Sequence, residues 1–497
     1  MTNKKSDLSR RSFLKMGGVA GVALQVGAIA GAGLEAGQDK DSYTGWQGRE
    51  GETQFVDRSG LEIDGPAYEA VGPTRRPNKT TEYIFGRAYM FHRALRGGED
   101  SAGWNPEDGP EALDEPLRSF YLDNPEALAA DLKREQEILP QSQEHHEKYD
   151  PFFRLAEAWS DGWSDIFRSY PRRPQSPPIE SDFDGVHEVK LQPRSPEMAA
   201  ELIKTVAHHY GATLVGICKL NPDWVYDANV VGGSREPFEV PEHWEYAIAI
   251  GVPHEWDQVL SNPAHGTSYD AYARSAVASG RIAAFLKSLG YPARAHHPPG
   301  TYDLIVPPIL VDAGLGQQGR AGFVLTPETG ANFRAAVVTT NLPMKVDKPI
   351  DFGVSEFCMH CKICAEQCPS GSISFADTNE GMTTRGYRHW EIDTTTCFNF
   401  WESAMGPMGC RLCIATCPYS RKNNWVHDMV RRASTADPTG QVDKAMTWMQ
   451  KKTFDVPDVA DYLPPPDGRF ASYRQAPKWL DVEHWFDIDV INPQKGG

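Results

Sequence analysis

The stretch "CMHCKICAEQCP", residues 358–369, sets Cys358, Cys361, Cys364 and Cys368 at the spacing C-x2-C-x2-C-x3-C and follows them with Pro369. Three thiolates on one tight loop can wrap a cubane of iron and sulfide, while the fourth, carried onto the next helix, reaches a second cubane. A related run lies downstream: Cys397, Cys410, Cys413 and Cys417, then Pro418, with twelve residues after its first cysteine instead of two. This reciprocal arrangement assigns Cys358, Cys361, Cys364 and Cys417 to one [4Fe–4S] cluster, and Cys368, Cys397, Cys410 and Cys413 to the other. Two runs that each end in Cys-Pro do not form a disulfide pattern, and zinc sites do not ordinarily share ligands in this way. The ninth cysteine, Cys218 in "ATLVGICKL", reads as a buried strand residue.

The cluster reading gives meaning to the N-terminus. Arg10 and Arg11 in "SRRSFLKMGG" precede a weakly apolar run from Met16 to Leu34. Paired arginines, a Gly/Ala-rich run and a small-residue exit near Ala28–Ala30 are the parts of a twin-arginine signal peptide, over residues 1–36. The glycines and Gln25 make the run a poor spanning helix. The twin-arginine route moves folded proteins, which suits clusters inserted in the cytoplasm before export. The chain of 497 residues carries a formal charge of −17, and its first 36 residues carry +3, which leaves −20 on the rest. So acidic a body argues against a nucleic-acid partner. The length allows more than one core, and 13 Trp with 38 Pro suggest aromatic-lined loops around a large pocket.

From residue 37 to about 190 the chain is rich in Pro, Trp and charge. "NPEALAADLKREQEIL" reads as a helix with Asn124 as N-cap and Pro125 at its first position, ended by Pro140. "RLAEAWSDGWSDIF" is a second helix candidate, its Trp159 and Trp163 packed in a core. From residue 191 to 345, helices ("SPEMAAELIKTVAHHYG", "DAYARSAVASGRIAAFLKSLG") alternate with apolar segments ("TLVGIC", "YAIAIGV", "TYDLIVPPILVDAG", "RAAVVTTNL"). This pattern predicts a layered α/β (α+β) domain. Residues 346–424 hold the cysteine runs, and the tail at 425–497 carries no readable motif. "GLGQQG", from Gly314 to Gly319, matches G-x-G-x-x-G, but Pro307 and Pro308 interrupt the strand it needs, and Thr339 stands where a ribose-binding acid belongs. A glycine loop that lets some other large cofactor approach the backbone fits better. The paired histidines (His145/His146, His208/His209, His296/His297) read as surface or pocket-edge residues, because sequence neighbours seldom face one way.

Taken together, the twin-arginine leader, the central α/β region and the asymmetric cysteine module resemble the respiratory reductive dehalogenases. The resemblance is strongest from Ser268 to Ser420, through "AYARSAVASGRIAAFLKSLGY", "DAGLGQQGRAGFVLTPETG" and "TTNLPMKVDKPIDFG". It implies a nitroreductase-like layered domain that binds a corrinoid (a cobamide of the B12 type) base-off, followed by a bacterial ferredoxin domain with two [4Fe-4S] clusters. Gly314, Gly316, Gly319 and Thr326 are then expected against the corrinoid. The family's proton-donating tyrosine stands one helix ahead of the "LGY" segment, which gives Tyr272, with Tyr269 the runner-up. Its partner arginine follows the "TPExG" turn, which gives Arg334. One departure is that "ARAHHPPGTY" lacks the Asn that many members place there; His297 is the residue in that stretch able to take such a contact.

The implied activity is two-electron reduction of a small organohalide, with hydrogen replacing halogen. The implied partners are a small membrane-anchor subunit and a low-potential electron donor, on the periplasmic, outer face of the cytoplasmic membrane; a homodimer is left open. Two rivals share features with this reading. An exported iron–sulfur electron-transfer subunit would lack cobalt, and some 350 residues before the cysteines exceed its needs. An epoxyqueuosine-reductase-like corrinoid enzyme would act on tRNA, against the leader and the acidic body.

Overall fold

The computed structural model describes residues 60–144, 158, 185–453 and 482–486, with interruptions at 72–75, 98–101, 232–233, 257–258, 260–264, 298–302, 380–382, 385, 391, 406–409, 421–424 and 438. The leader, His145/His146 and the helix expected around Trp159 and Trp163 lie outside the described residues.

The N-terminal region contributes α1 (Ile84–Arg96), α2 (Leu117–Asp123) and α3 (Pro125–Lys133). They close on a small core of Phe91, Leu113, Leu117 and Tyr121. Pro125 opens α3 as its fixed φ predicts. Asn124 stands at the N-cap of α3, as expected, but its side chain makes no capping bond; its Nδ2 donates backward to the Phe120 carbonyl at 2.8 Å. Nor does Pro140 end the helix. Residues 134–138 widen into a π turn and 139–144 stay helical, so the missing proline donor and its ring are absorbed by a local bulge. At the centre of this region the buried Asp131 accepts from Arg87 Nε at 2.9 Å, Arg134 Nη1 at 2.5 Å and Tyr121 Oη at 2.8 Å. One carboxylate with three donors is the condition under which burying it is tolerable.

The central domain runs α4 (Pro196–His209), β1 (Leu214–Lys219), β2 (Tyr246–Pro253), α5 (His265–Ser288), β3 (Ala293–His296), α6 (Val306–Asp312) and β4 (Phe333–Thr340). Ser195 caps α4 by accepting from Met198 N at 3.2 Å, and Gly211 follows the helix at φ +99°. The sheet has the order β1-β2-β4-β3 and every pair is antiparallel, with Ile217, Ile248, Val338 and Ala295 in one cross-strand row. Side chains alternate between the faces as a strand period of two requires. Ile217, Ile248, Ile250, Ala336 and Val338 pack with Ile203 of α4 and Ile282 and Leu286 of α5. Cys218, Ala247, Ala249, Ala335 and Val337 pack with Ile309, Leu310 and Val311 of α6 on the other face. The layered α+β architecture expected from the sequence is therefore present.

One element differs from its sequence pattern. "VPPILVD" is the helix α6, with its prolines in the first turn, where they lack no partner. Gly216 lets this layer close on the sheet, because a Cβ there would lie 2.2 Å from the Ala313 carbonyl oxygen.

The cysteine-rich segment follows through α7 (Val354–His360), a turn of helix at 363–366, α8 (Thr394–Phe400) and another turn at 412–415. Its core holds Ile350, Phe352, Val354, Phe357, Ile363, Trp390, Leu412 and Ile414. The tail without a motif turns out to cover this segment. Helices α9 (Trp425–Ala436) and α10 (Gln441–Thr453) fold back on it, Thr435 Oγ1 donates to the Phe352 carbonyl at 2.7 Å, and Lys451 pairs with Glu366 at 2.6 Å.

Candidate cluster centres and active site

The chain brings the eight cysteines together in two groups. Cys364 senses Cys358, Cys417 and Cys361 as its main charged neighbours, and Cys361 senses Cys417. Cys413 senses Cys410, Cys397 and Cys368. These are the two sets of four drawn from the spacing. Their positions follow from local structure: α7 carries Cys358 and is capped by Cys361, the turn at 363–366 carries Cys364, α8 carries Cys397 and the turn at 412–415 carries Cys413.

Burial dominates the chemistry of these thiols. It pushes Cys361 and Cys397 up to about 12 and Cys410 to about 11, with Cys358, Cys364 and Cys413 also raised. Thiols held this way stay protonated on their own and become thiolates when a cation takes the proton's place. Among the described residues no three His, Cys, Asp or Glu side chains converge as a single metal ion requires. Eight thiols held in two groups are a donor set that fits iron–sulfur clusters, whose larger core does not require the thiols to converge.

Arg320, which sequence reasoning passed over, locks the first group. It is 1 % exposed, donates to the Cys358 carbonyl through Nε at 3.0 Å and Nη2 at 2.6 Å, and donates to the Ser374 and Ala376 carbonyls at 2.7 Å. Its guanidinium also stacks 5.1 Å from the Trp390 ring. The signal for it was its place directly after the glycine run. Thr447 of the tail, against the Cys361 thiol, had no signal at all.

Beside the cluster segment lies an open cavity of about 270 Å³. Tyr83 and Ile84 of the N-terminal region, Tyr226, Leu304, Leu310, Phe323, Phe333 and Arg334 are among its walls. Mainly apolar and furnished with few polar groups, it has the character of a cofactor or substrate site. Arg334 Nε is buried and has no hydrogen-bond partner, which leaves a donor on the wall. An apolar wall with an unpaired donor fits a ring whose faces are apolar and whose rim carries amides, such as a corrinoid.

Tyr272 and Arg334 come from elements far apart in sequence, α5 and β4. The Arg334 guanidinium carbon sits 4.9 Å from the centre of the Tyr272 ring, and its Nη2 donates to Ser268 Oγ at 3.2 Å. The pair expected from the resemblance is thus in contact.

The four residues expected against a corrinoid make close contacts within the chain. Gly314, at φ +68°, runs against Lys348, whose carbonyl oxygen would be 2.3 Å from a Cβ. Gly316 runs against the Leu325 carbonyl, 2.0 Å from a Cβ, and Gly319 against the Leu325 side chain and the Cys358 thiol. Thr326 turns its hydroxyl to Thr329, at 3.0 Å from Oγ1 and 3.1 Å from N. At each of these positions the backbone is closely packed against the chain itself. The segment they build still separates the two centres, since Gly319 touches Cys358 while Gly322, Phe323 and Val324 line the cavity.

The histidine pairs divide. His208 Nδ1 bonds the Ala212 carbonyl at 2.8 Å, at the end of α4. His296 is not at the surface; it is fully buried, with Nδ1 3.0 Å from Asp303 Oδ2 and Nε2 2.9 Å from Thr339 Oγ1. His297 is partly exposed at the edge of the gap at 298–302. Cys218 is a buried strand residue, 3 % exposed.

Comparison with known proteins agrees with this construction. A 4Fe-4S dicluster domain family matches residues 357–421. The tetrachloroethene reductive dehalogenase of Sulfurospirillum multivorans is 32 % identical over 262 residues, covering 46 % of this chain and 51 % of that protein. The enzyme of the same name from Desulfitobacterium hafniense is 34 % identical over 232 residues, covering 45 % and 40 %. The chain therefore spans about half the length of the curated relatives it matches. An epoxyqueuosine reductase from Cyclobacterium marinum is a more distant relative, 28 % identical over 112 residues. Among solved structures, the catabolic reductive dehalogenase NpRdhA superposes with a TM-score of 0.54 at 24 % identity, covering 86 % of this chain and 50 % of that one. A reductive dehalogenase described with a mechanism for B12-dependent dehalogenation gives a TM-score of 0.56 at 23 % identity, covering 86 % and 50 %. In sequence and in fold the chain is similar to reductive dehalogenases, and it carries a 4Fe-4S dicluster domain.

Proposed function

We propose that the protein reduces a small organohalide, replacing halogen by hydrogen and releasing halide, with two electrons and one proton consumed per turnover. The observation that carries this is the contact of Tyr272 with Arg334, which itself lines an apolar cavity beside the cysteine-bearing segment. Cys358, Cys361, Cys364 and Cys417 would hold one [4Fe–4S] cluster, and Cys368, Cys397, Cys410 and Cys413 the other; such clusters deliver electrons singly. A corrinoid in the cavity would supply the low-valent cobalt that breaks the carbon–halogen bond; its described support is the apolar lining and the unpaired Arg334 donor.

The chain's own residues do the rest. Tyr226, Phe323 and Phe333 exclude water and hold an apolar substrate. The Tyr272 hydroxyl donates the proton that the new C–H bond needs. Arg334, over the ring, favours the phenolate left behind, and its free Nε–H offers the site one further donor. The first cysteine group lies directly behind the 314–326 segment, and α8, which bears Cys397 of the second, reaches the cavity through Thr394.

Export by the twin-arginine route, docking to a small membrane-anchor subunit on the outer face of the cytoplasmic membrane, and delivery of electrons by a low-potential donor complete the reading; Arg10, Arg11 and the apolar run after them support it. Among the described residues no helix is long and apolar enough to cross a membrane. The test is halide release from a panel of chloroethenes, chloroalkanes and haloaromatics by the anaerobically purified protein with a strong reductant. Halide release that requires cobalt and is lost in Tyr272→Phe supports the proposal. Absence of halide from every class, in protein fully loaded with iron and cobalt, overturns it.

A further inference from the structure

Ser268 lies one helical turn before Tyr272 on α5, so the two share a face. Its hydroxyl is 5 % exposed and accepts from two guanidinium groups: Arg334 Nη2 at 3.2 Å, and Arg411 Nη2. Arg411 stands between Cys410 and Cys413, ligands assigned to the second cluster. It is 6 % exposed, its Nη1 donates to the Cys410 carbonyl, and its guanidinium carbon is 5.6 Å from the centre of the Trp401 ring.

Two guanidiniums on one neutral oxygen, that of Arg411 buried and that of Arg334 half-buried, are an unfavourable arrangement by themselves, because like charges repel more strongly where water is scarce. The neighbouring Arg274 shows the ordinary solution, a two-pronged pairing with Asp270 at 2.7 and 2.8 Å. Among the described residues neither Arg334 nor Arg411 makes an ion pair with a carboxylate. What Arg411 gains is geometric. It is anchored to the cysteine loop at one end and to the tyrosine helix at the other, and Trp401 fixes its plane.

We propose that Arg411 is a positioning residue for the Tyr272–Arg334 pair, acting through the Ser268 hydroxyl and tying that pair to the loop that bears Cys410 and Cys413. The role assigned to the pair rests on the dehalogenase reading; the mechanical link does not. Arg411 fixes where Arg334 sits over the ring, so the proton donor keeps its place while electrons pass through the adjoining loop.

The test uses the full, cluster-loaded chain with Ser268→Ala, Arg411→Gln, Arg411→Lys and the Ser268→Ala/Arg411→Gln double variant. Iron content and the electron paramagnetic resonance of the reduced clusters show that each is intact. The first readout is the NMR signal of the Tyr272 ring in oxidised, tyrosine-labelled protein, assigned by its loss in Tyr272→Phe. It should move in Ser268→Ala and in Arg411→Gln, move no further in the double variant, and return part of the way in Arg411→Lys. The second is halide release: kcat falls about 10- to 100-fold in each single variant with KM within about twofold, and the double variant is no worse than the poorer single one. Additive losses, or a Ser268→Ala variant with an unmoved ring signal and unchanged kcat, overturn the proposal. If Arg411→Gln loses iron, Ser268→Ala decides alone, because it leaves the cysteine loop untouched. If the wild-type chain releases no halide, the ring signal still decides the positioning, and only the dehalogenase reading falls.

Discussion

The central sheet and the cysteine-rich segment are both buried, but different groups close them. In the sheet, Ile248, Ile250 and Val338 are fully buried against helices on one face, and Ala247, Ala249 and Val337 on the other. In the cysteine segment, Cys358 and Cys361 take core positions beside Phe357 and Ile363. Apolar side chains gain from leaving water and need nothing more. Thiols pushed up the pH scale by burial are ready for a metal core to replace their protons. The difference separates a region that holds itself together from one whose completion depends on a ligand.

The largest effect should come from the ligand-dependent side. Cys361→Ser or Cys413→Ser is expected to remove about half the iron and abolish halide release, while circular dichroism shows the sheet and its helices retained. Global unfolding of these variants would break the comparison, because it would make the sheet depend on the clusters. Next comes the pair where the two regions meet. Tyr272→Phe should reduce kcat by about 10²- to 10⁴-fold, as loss of a general acid does, with iron and cobalt content unchanged. A rate within about threefold of wild type would remove Tyr272 from the mechanism.

On the self-sufficient side the effects are energetic. Ile248→Ala, at the centre of the sheet, should lower stability by about 2–5 kcal/mol in urea denaturation, with iron content unaffected in the folded fraction. The smallest effect concerns Asp312, whose carboxyl burial raises from 3.8 to about 6, although Tyr68 Oη donates to it at 2.9 Å and Trp224 Nε1 at 3.3 Å. Folded protein holds this proton more tightly than the unfolded chain does. The stability it contributes is therefore full below about pH 4 and is lost as the pH rises through 6. Asp312→Asn cannot ionise, so its deficit relative to wild type should narrow by about 1–2 kcal/mol between pH 4 and 7. A deficit that widens over that range would reverse the assignment.

The sequence was most legible where chemistry dictates spacing. Cysteines two and three residues apart, closed by proline, could hardly serve another purpose, and the chain folds them into the expected groups. Alternation of Ile and Ala in "YAIAIGV" announced a strand buried on both faces, and Ser195 and Gly211 marked the ends of α4. The pair Tyr272–Arg334 was legible only by resemblance, because nothing local distinguishes a tyrosine on an apolar helix from its neighbour Tyr269. The glycines of "GLGQQG" were legible only as a demand for close approach, because glycine permits it without saying to what; within the chain the approach is to Lys348 and Leu325. "VPPILVD" misled because two prolines spoil a strand and yet suit the first turn of a helix. Arg320, Arg411 and Thr447 act through contacts set by tertiary structure, which no spacing encodes.

The most direct test of the account is the iron and cobalt content of the anaerobically purified full chain, with extraction of any corrinoid by cyanide. About eight iron and one cobalt per chain, with a cobamide recovered, is the predicted result. About eight iron without cobalt, in protein matured with a cobamide supply, would contradict it and leave an iron–sulfur electron carrier with an empty apolar cavity.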